Sequence, residues 1–276
     1  MIQGSGISRR LWLFFLLAYA FSWLFWIPQA LAANGMAIPA GVSAFLSSPF
    51  NPAAFGPLVA ALVLTFFDEG WKGAIALLKR GLDFRFKKTW LLPILLLPPV
   101  IFTGATLLSV FTGATLLDSS VLSNPIVAIV APVIILLTAG PLQEEFGWRG
   151  YALPHLQRRF DALVSSLVLG VLWWLWHLPL IFIPGKFMVS TPLLFGVLLV
   201  EMVLVTILFT WIYNNTGGSI LAAMLFHTSM NWSIWVILPS MQMNLSILGF
   251  TIVLLTIAVA VVLGIWGPNR LSRNNG

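Results

Sequence analysis

The sequence predicts an all-α polytopic membrane protein with about eight transmembrane helices and cytoplasmic N- and C-termini. Three observations predict it. Of the 276 residues, 59% are hydrophobic and 8% are charged, more apolar surface than a soluble domain can hide. The apolar residues form continuous runs. Such runs suit helices, which satisfy their own backbone groups in lipid, whereas a barrel alternates apolar with polar residues. Lysine and arginine fall almost entirely on one side of the resulting topology.

The first run, Leu11 to Ala33, follows Arg9-Arg10 and is long for a signal-peptide core, so it is taken as a membrane helix. An uncharged linker, Asn34 to Asn51, leads to the second run, Pro52 to Phe67. The segment Asp68 to Lys88 holds Lys72, Lys79, Arg80, Arg85, Lys87 and Lys88, and part of it reads as an interfacial helix. The third run is Trp90 to Phe111, where Pro93, Pro98 and Pro99 are expected to bend the chain. The fourth starts near Pro125 and reaches Gly140-Pro141. Ala162 to Ile183, Pro192 to Tyr213, Ile220 to Leu238 and Ser246 to Trp266 complete the eight. With the N-terminus cytoplasmic, thirteen of the fourteen basic residues lie inside and Lys186 alone lies outside. The loops at Ser47, Leu117 and Gln242 are then external, and Gly81 is internal. No repeat or linker divides the chain, so 1–276 reads as one membrane domain in a cell membrane.

The basic charge follows from these loops and implies no nucleic-acid partner. The partners expected are membrane lipid and a hydrophobic or membrane-anchored peptide. There is no cysteine, which excludes disulfides and thiol catalysis.

The polar residues within the apolar runs are few, and ionisable groups in the membrane are costly and by default functional. The stretch Pro141-Leu142-Gln143-Glu144-Glu145-Phe146-Gly147-Trp148-Arg149-Gly150 holds three of them. At about 100° per residue, Glu145 and Arg149 are i,i+4 partners for an ion pair, and Glu144 points to another face. His177 follows the aromatic run Trp173-Trp174-Leu175-Trp176, and His227 and Asn231 share one helical face. Hydrolysis of an amide needs a base to activate water, and donors for the oxyanion or a Lewis-acid metal. Glu144 suits the first need, and His227 with Asn231 suits the second. Zinc on Glu144, His177 and His227 is the metal alternative, although His-Glu-x-x-His is absent. Glu201 stands alone in the sixth run, as a structural group or as part of a cavity wall.

Glu144-Glu145 with Arg149, then Trp173 three residues before Trp176-His177-Leu178-Pro179, then His227 with Asn231 resemble the motifs of the type II CAAX protease and bacteriocin-processing family, also called Abi. The flanks Pro141-Leu142 and Thr216-Gly217-Gly218-Ser219 resemble its prokaryotic branch. The resemblance covers residues 125–240, the expected catalytic core. It implies an eight-helix intramembrane endopeptidase in which Glu144 activates water and His177 assists. It further implies that His227 and Asn231 bind the oxyanion, while Glu145 and Arg149 give support. The family usually has phenylalanine where Trp173 stands, which bears on substrate fit. Cleavage is expected near the cytoplasmic half of the membrane, by a metal-free route with zinc as the rival. A non-catalytic scaffold or immunity protein and a proton-coupled transporter are the readings from other classes.

Overall fold

The structure is a computed structural model and describes residues 9–48, 51–114, 125–186, 191–237 and 245–273. Leu117, Leu238 and Gln242, named above, lie outside the described residues. The described residues form helices joined by turns and short irregular segments, with no strand among them. In order the α-helices are α1 (Arg9–Ala33), α2 (Ala40–Ser47), α3 (Gly56–Arg80), α4 (Leu91–Phe111), α5 (Pro125–Thr138), α6 (Pro141–Gly147), α7 (Leu153–Gln157), α8 (Ala162–Trp176), α9 (Pro192–Asn215), α10 (Ile220–Val236) and α11 (Leu245–Trp266). A π-helical turn, Trp148–Ala152, joins α6 to α7.

Each of the eight predicted runs is helical. Among the described residues six helices are long and apolar enough to cross a membrane, and α5 with α6–α7 makes a seventh span bent by 43°. The remaining run is α10, at 17 residues about 25 Å long, with much of its surface packed inside the bundle. The outer surface carries Leu16, Leu24, Ile129 and Phe111, exposed by 66% to 91%. Apolar exposure on that scale belongs against lipid.

Two details differ from the expectation and one agrees with it. The linker after α1 contains the short helix α2. Helix α3 is kinked at Gly70, where φ is +66°, and its part from there to Arg80 is the helix expected in the charged segment. Helix α4 continues through Pro98 and Pro99. Both prolines cost a ladder bond, and packing of α4 on α10 and α11 is what keeps the helix whole.

One buried cluster extends from Leu11 to Leu271 and binds the elements together. Helix α3 packs on α1 and α6, α8 packs on α9, and α10 lies against α4 and α5. The α3–α6 crossing needs Gly147, since a Cβ there would stand 2.4 Å from the Pro57 side chain. At the basic end of the bundle Arg80 donates to the Gly150 carbonyl, the Tyr213 hydroxyl and the Gly218 carbonyl. That one side chain ties α3, the π-helical turn and the α9–α10 turn, and so fixes the elements that carry the polar residues.

Candidate active site

The site begins at a break. Gly140 has φ +107°, a conformation that L side chains resist, and it separates α5 from α6. Gln143 spans the break, accepting from the Gly140 N–H at 2.9 Å and donating to the Leu137 carbonyl at 3.1 Å. The bend carries Glu144 into the interior, where it is 5% exposed. Its two oxygens have different surroundings. Oε2 accepts the indole N–H of Trp148 at 3.2 Å and of Trp173 at 2.7 Å. Oε1 lies 2.7 Å from the point where a Cβ on Gly140 would stand, and His227 Nε2 lies 3.3 Å from the same point. The absent side chain of Gly140 therefore leaves room where Glu144 and His227 converge.

Behind this pair is a buried charge cluster. Glu145 and Arg149 are both fully buried and bond at 2.8 Å, the expected i,i+4 pair. The same Oε1 of Glu145 also lies 2.8 Å from His227 Nδ1. The guanidinium of Arg149 stacks over Phe209 at 3.7 Å and Trp173 at 4.7 Å, which supplies cation–π attraction in a dry setting. An ionised carboxylate only accepts, so the Nδ1 of His227 is the donor in this contact, and Nε2 is turned towards the cavity. Glu145 thus does more than the sequence predicts of it: it orients a histidine as well as pairing with Arg149.

His177 ends α8, and its Nδ1 donates to the Trp173 carbonyl at 2.8 Å. Asn231 lies one turn beyond His227 on α10 and gives one amide N–H to the Ala139 carbonyl at 2.7 Å. An asparagine side chain has two such donors, so its second N–H is fixed in direction by the first.

Glu144, His177, His227 and Asn231 all line one cavity of about 630 Å³. Its walls include Trp26, Trp173, Trp176, Trp235 and Glu201, and it reaches Ser48, Asn51 and Lys186. These last residues lie at the helix ends opposite Arg80, Arg158 and Arg270. Glu145 and Arg149 sit behind the wall. Among the described residues, no three His, Cys, Asp or Glu side chains are arranged to hold a metal ion. Glu144, His177 and His227 do not form such a group in this geometry.

Sequence reasoning does not find Trp148 or Gly140 as parts of the site, and it reads Trp173 only as a motif position where phenylalanine is usual. Its indole N–H, which phenylalanine lacks, is the shorter of the two bonds to Glu144. The signal that could have found Gly140 is its position just before Pro141, where a chain break with positive φ favours glycine.

Residues 126–233 match the family model described as Type II CAAX prenyl endopeptidase Rce1-like. The matched stretch contains Glu144, Glu145, Arg149, His177, His227 and Asn231. CAAX prenyl protease 2 of the archaeon Methanococcus maripaludis is 34% identical over 104 residues, covering 36% of this chain and 38% of that protein. The aligned part is therefore well under half the length of this relative. The resemblance read from the three motifs is borne out.

Proposed function

We propose that this chain is a multi-pass intramembrane endopeptidase of the Rce1-like type, in which Glu144 activates water against a peptide bond of a membrane-associated substrate. The observation that carries the reading is the asymmetry of Glu144. Two indoles hold Oε2, while Oε1 lies beside His227 in a cavity large enough for an extended peptide segment. A base must be held in reach of the proton it takes, and this carboxylate is held by one oxygen with the other available.

In the reaction, Oε1 takes a proton from water as the water oxygen attacks the carbonyl carbon. The carbonyl oxygen becomes an oxyanion, which the second N–H of Asn231 stabilises, joined by His227 Nε2 while it shares the proton that Glu144 has taken from water. Collapse of this intermediate breaks the C–N bond, and Glu144 returns its proton to the departing nitrogen. His177 assists from the opposite wall. Glu145 and Arg149 hold His227 and the bend. Residues 125–240 act as the catalytic core of one membrane domain, 1–276, in a prokaryotic plasma membrane. The substrate class is a prenylated or otherwise membrane-anchored peptide, or one of bacteriocin type.

The test is cleavage of a panel of prenylated and non-prenylated membrane-anchored fluorogenic peptides by purified protein in lipid nanodiscs. Glu144→Gln abolishes cleavage and leaves the melting temperature close to the parent value. Unchanged cleavage by that variant would remove Glu144 from the chemistry. Chelation leaves the rate unchanged under the proposed mechanism. Loss on chelation that zinc alone restores would replace it with the metal mechanism. A scaffold or transporter cleaves no member of the panel.

A further inference from the structure

Glu201 lies nine residues into α9, about 14 Å from its start, too deep for a glutamate to reach the helix end. It is 4% exposed, and among the described residues its Oε2 has no hydrogen-bond partner. It lines the same cavity as Glu144. Glu145 also leaves its Oε2 unmatched, but its Oε1 holds Arg149 and, on a neighbouring helix, His227. A buried carboxylate with an empty oxygen is costly unless a donor arrives to meet it.

We propose that Glu201 is a specificity subsite that receives a lysine or arginine side chain of the peptide bound in the cavity. Calling that peptide a substrate rests on the endopeptidase reading; the subsite itself does not. Charge and shape both select a cation. The lining holds two carboxylates, Glu144 and Glu201, against one cation, Lys186, which is exposed at the rim. Four indoles, from Trp26, Trp173, Trp176 and Trp235, share the same walls. Indole faces attract cations, and the aliphatic stem of lysine or arginine suits an apolar wall. A charge-assisted bond formed away from water is about twice as strong as a neutral one.

The test uses Glu144→Gln protein in nanodiscs, so that binding is read without cleavage. The probe is an acetylated, amidated hydrophobic peptide with a neutral fluorophore and one lysine, compared by anisotropy with its norleucine twin. Acetylation removes the terminal amine, which leaves lysine as the sole cation. The lysine probe binds about tenfold to a hundredfold more tightly than the norleucine probe. Adding Glu201→Gln removes that preference while norleucine binding is retained, which also shows that the cavity is intact. Adding Glu201→Lys turns the preference towards a glutamate probe. An equal lysine preference with and without Glu201→Gln overturns the proposal, as does failure of both probes to bind. Cleavage by the protein with Glu144 intact is scored separately. A protein that cleaves without a Glu201-dependent preference keeps the endopeptidase reading and loses the subsite. A protein that shows the preference and cleaves nothing keeps the subsite and loses the endopeptidase reading.

Discussion

Removing Arg149 tests whether Glu145 is a prop for the fold or a positioning group for His227. The pair is fully buried, and one oxygen of Glu145 serves both Arg149 and His227 at 2.8 Å each. Arg149→Ala leaves the carboxylate without its charged partner in a dry site, and also removes the stacking on Phe209. Breaking a buried pair this way costs about 3–5 kcal/mol. That lowers the melting temperature by on the order of 10 °C, as read by the unfolding of purified protein in detergent. The informative variant is the double one, Glu145→Leu with Arg149→Met. Apolar residues of similar volume often replace a buried ion pair at little cost, so most of the melting temperature returns. His227, however, has lost the acceptor for Nδ1–H and the ring is no longer held. Cleavage therefore stays down by at least about a hundredfold, the usual scale of a positioned acid–base group. Recovery of both stability and cleavage would refute the positioning role and leave Glu145 as structure alone. Unchanged melting in Arg149→Ala would refute the pairing itself.

Trp173→Phe removes the 2.7 Å indole bond and keeps the ring, leaving Glu144 with Trp148 alone. A hydrogen bond to a charged group contributes about 1.5–3 kcal/mol, so kcat falls about tenfold to a hundredfold, with KM nearly unchanged in steady-state assays. A change confined to KM would assign Trp173 to substrate fit. Gly140→Ala puts a methyl 2.7 Å from Glu144 Oε1 and forces an L side chain to φ +107°. It costs about 1–3 kcal/mol of stability and silences cleavage at temperatures where the protein stays folded; full activity in the folded variant contradicts the convergence at Gly140. The chain has no cysteine, so Ser48→Cys and Lys79→Cys give clean single sites. An impermeant maleimide applied to intact cells labels Cys at 48 and spares Cys at 79, and the reverse pattern inverts the topology.

The spans and the site differ in how far the sequence reveals them. Lipid imposes a one-dimensional rule, long apolar runs with basic loops on one side, and α1, α4, α9 and α11 follow the predicted runs within a few residues. Helical periodicity likewise places Glu145 beside Arg149 and His227 beside Asn231. What periodicity cannot supply is the angle between helices. The bond from His227 to Glu145 joins residues 82 positions apart, and that from Trp173 to Glu144 joins residues 29 apart. Both depend on a bend at Gly140 that no hydrophobic pattern records. The turns of α3 beyond Gly70 agree with the helix expected in the charged segment, where the chain leaves the lipid and apolar runs cease to mark helices.

The contact between His227 and Glu145 also constrains the chemistry. A neutral ring that gives its proton from Nδ1 to Glu145 presents a lone pair at Nε2, which accepts and cannot donate to an oxyanion. Donation from Nε2 requires a second proton on the ring. Glu144 Oε1 is the adjacent group, and in the proposed mechanism the proton it draws from water is the one available there. Under that proposal Glu144 and His227 act as a shared proton site, with Glu145 and Arg149 fixing the ring through the transfer. Asn231 differs, since its second N–H donates whatever the protonation of the ring, held by the bond to Ala139. In the proposed mechanism, oxyanion stabilisation divides into a permanent donor on Asn231 and a conditional one on His227, which arms only as the nucleophile forms. That order favours the transition state over bound substrate, as catalysis requires.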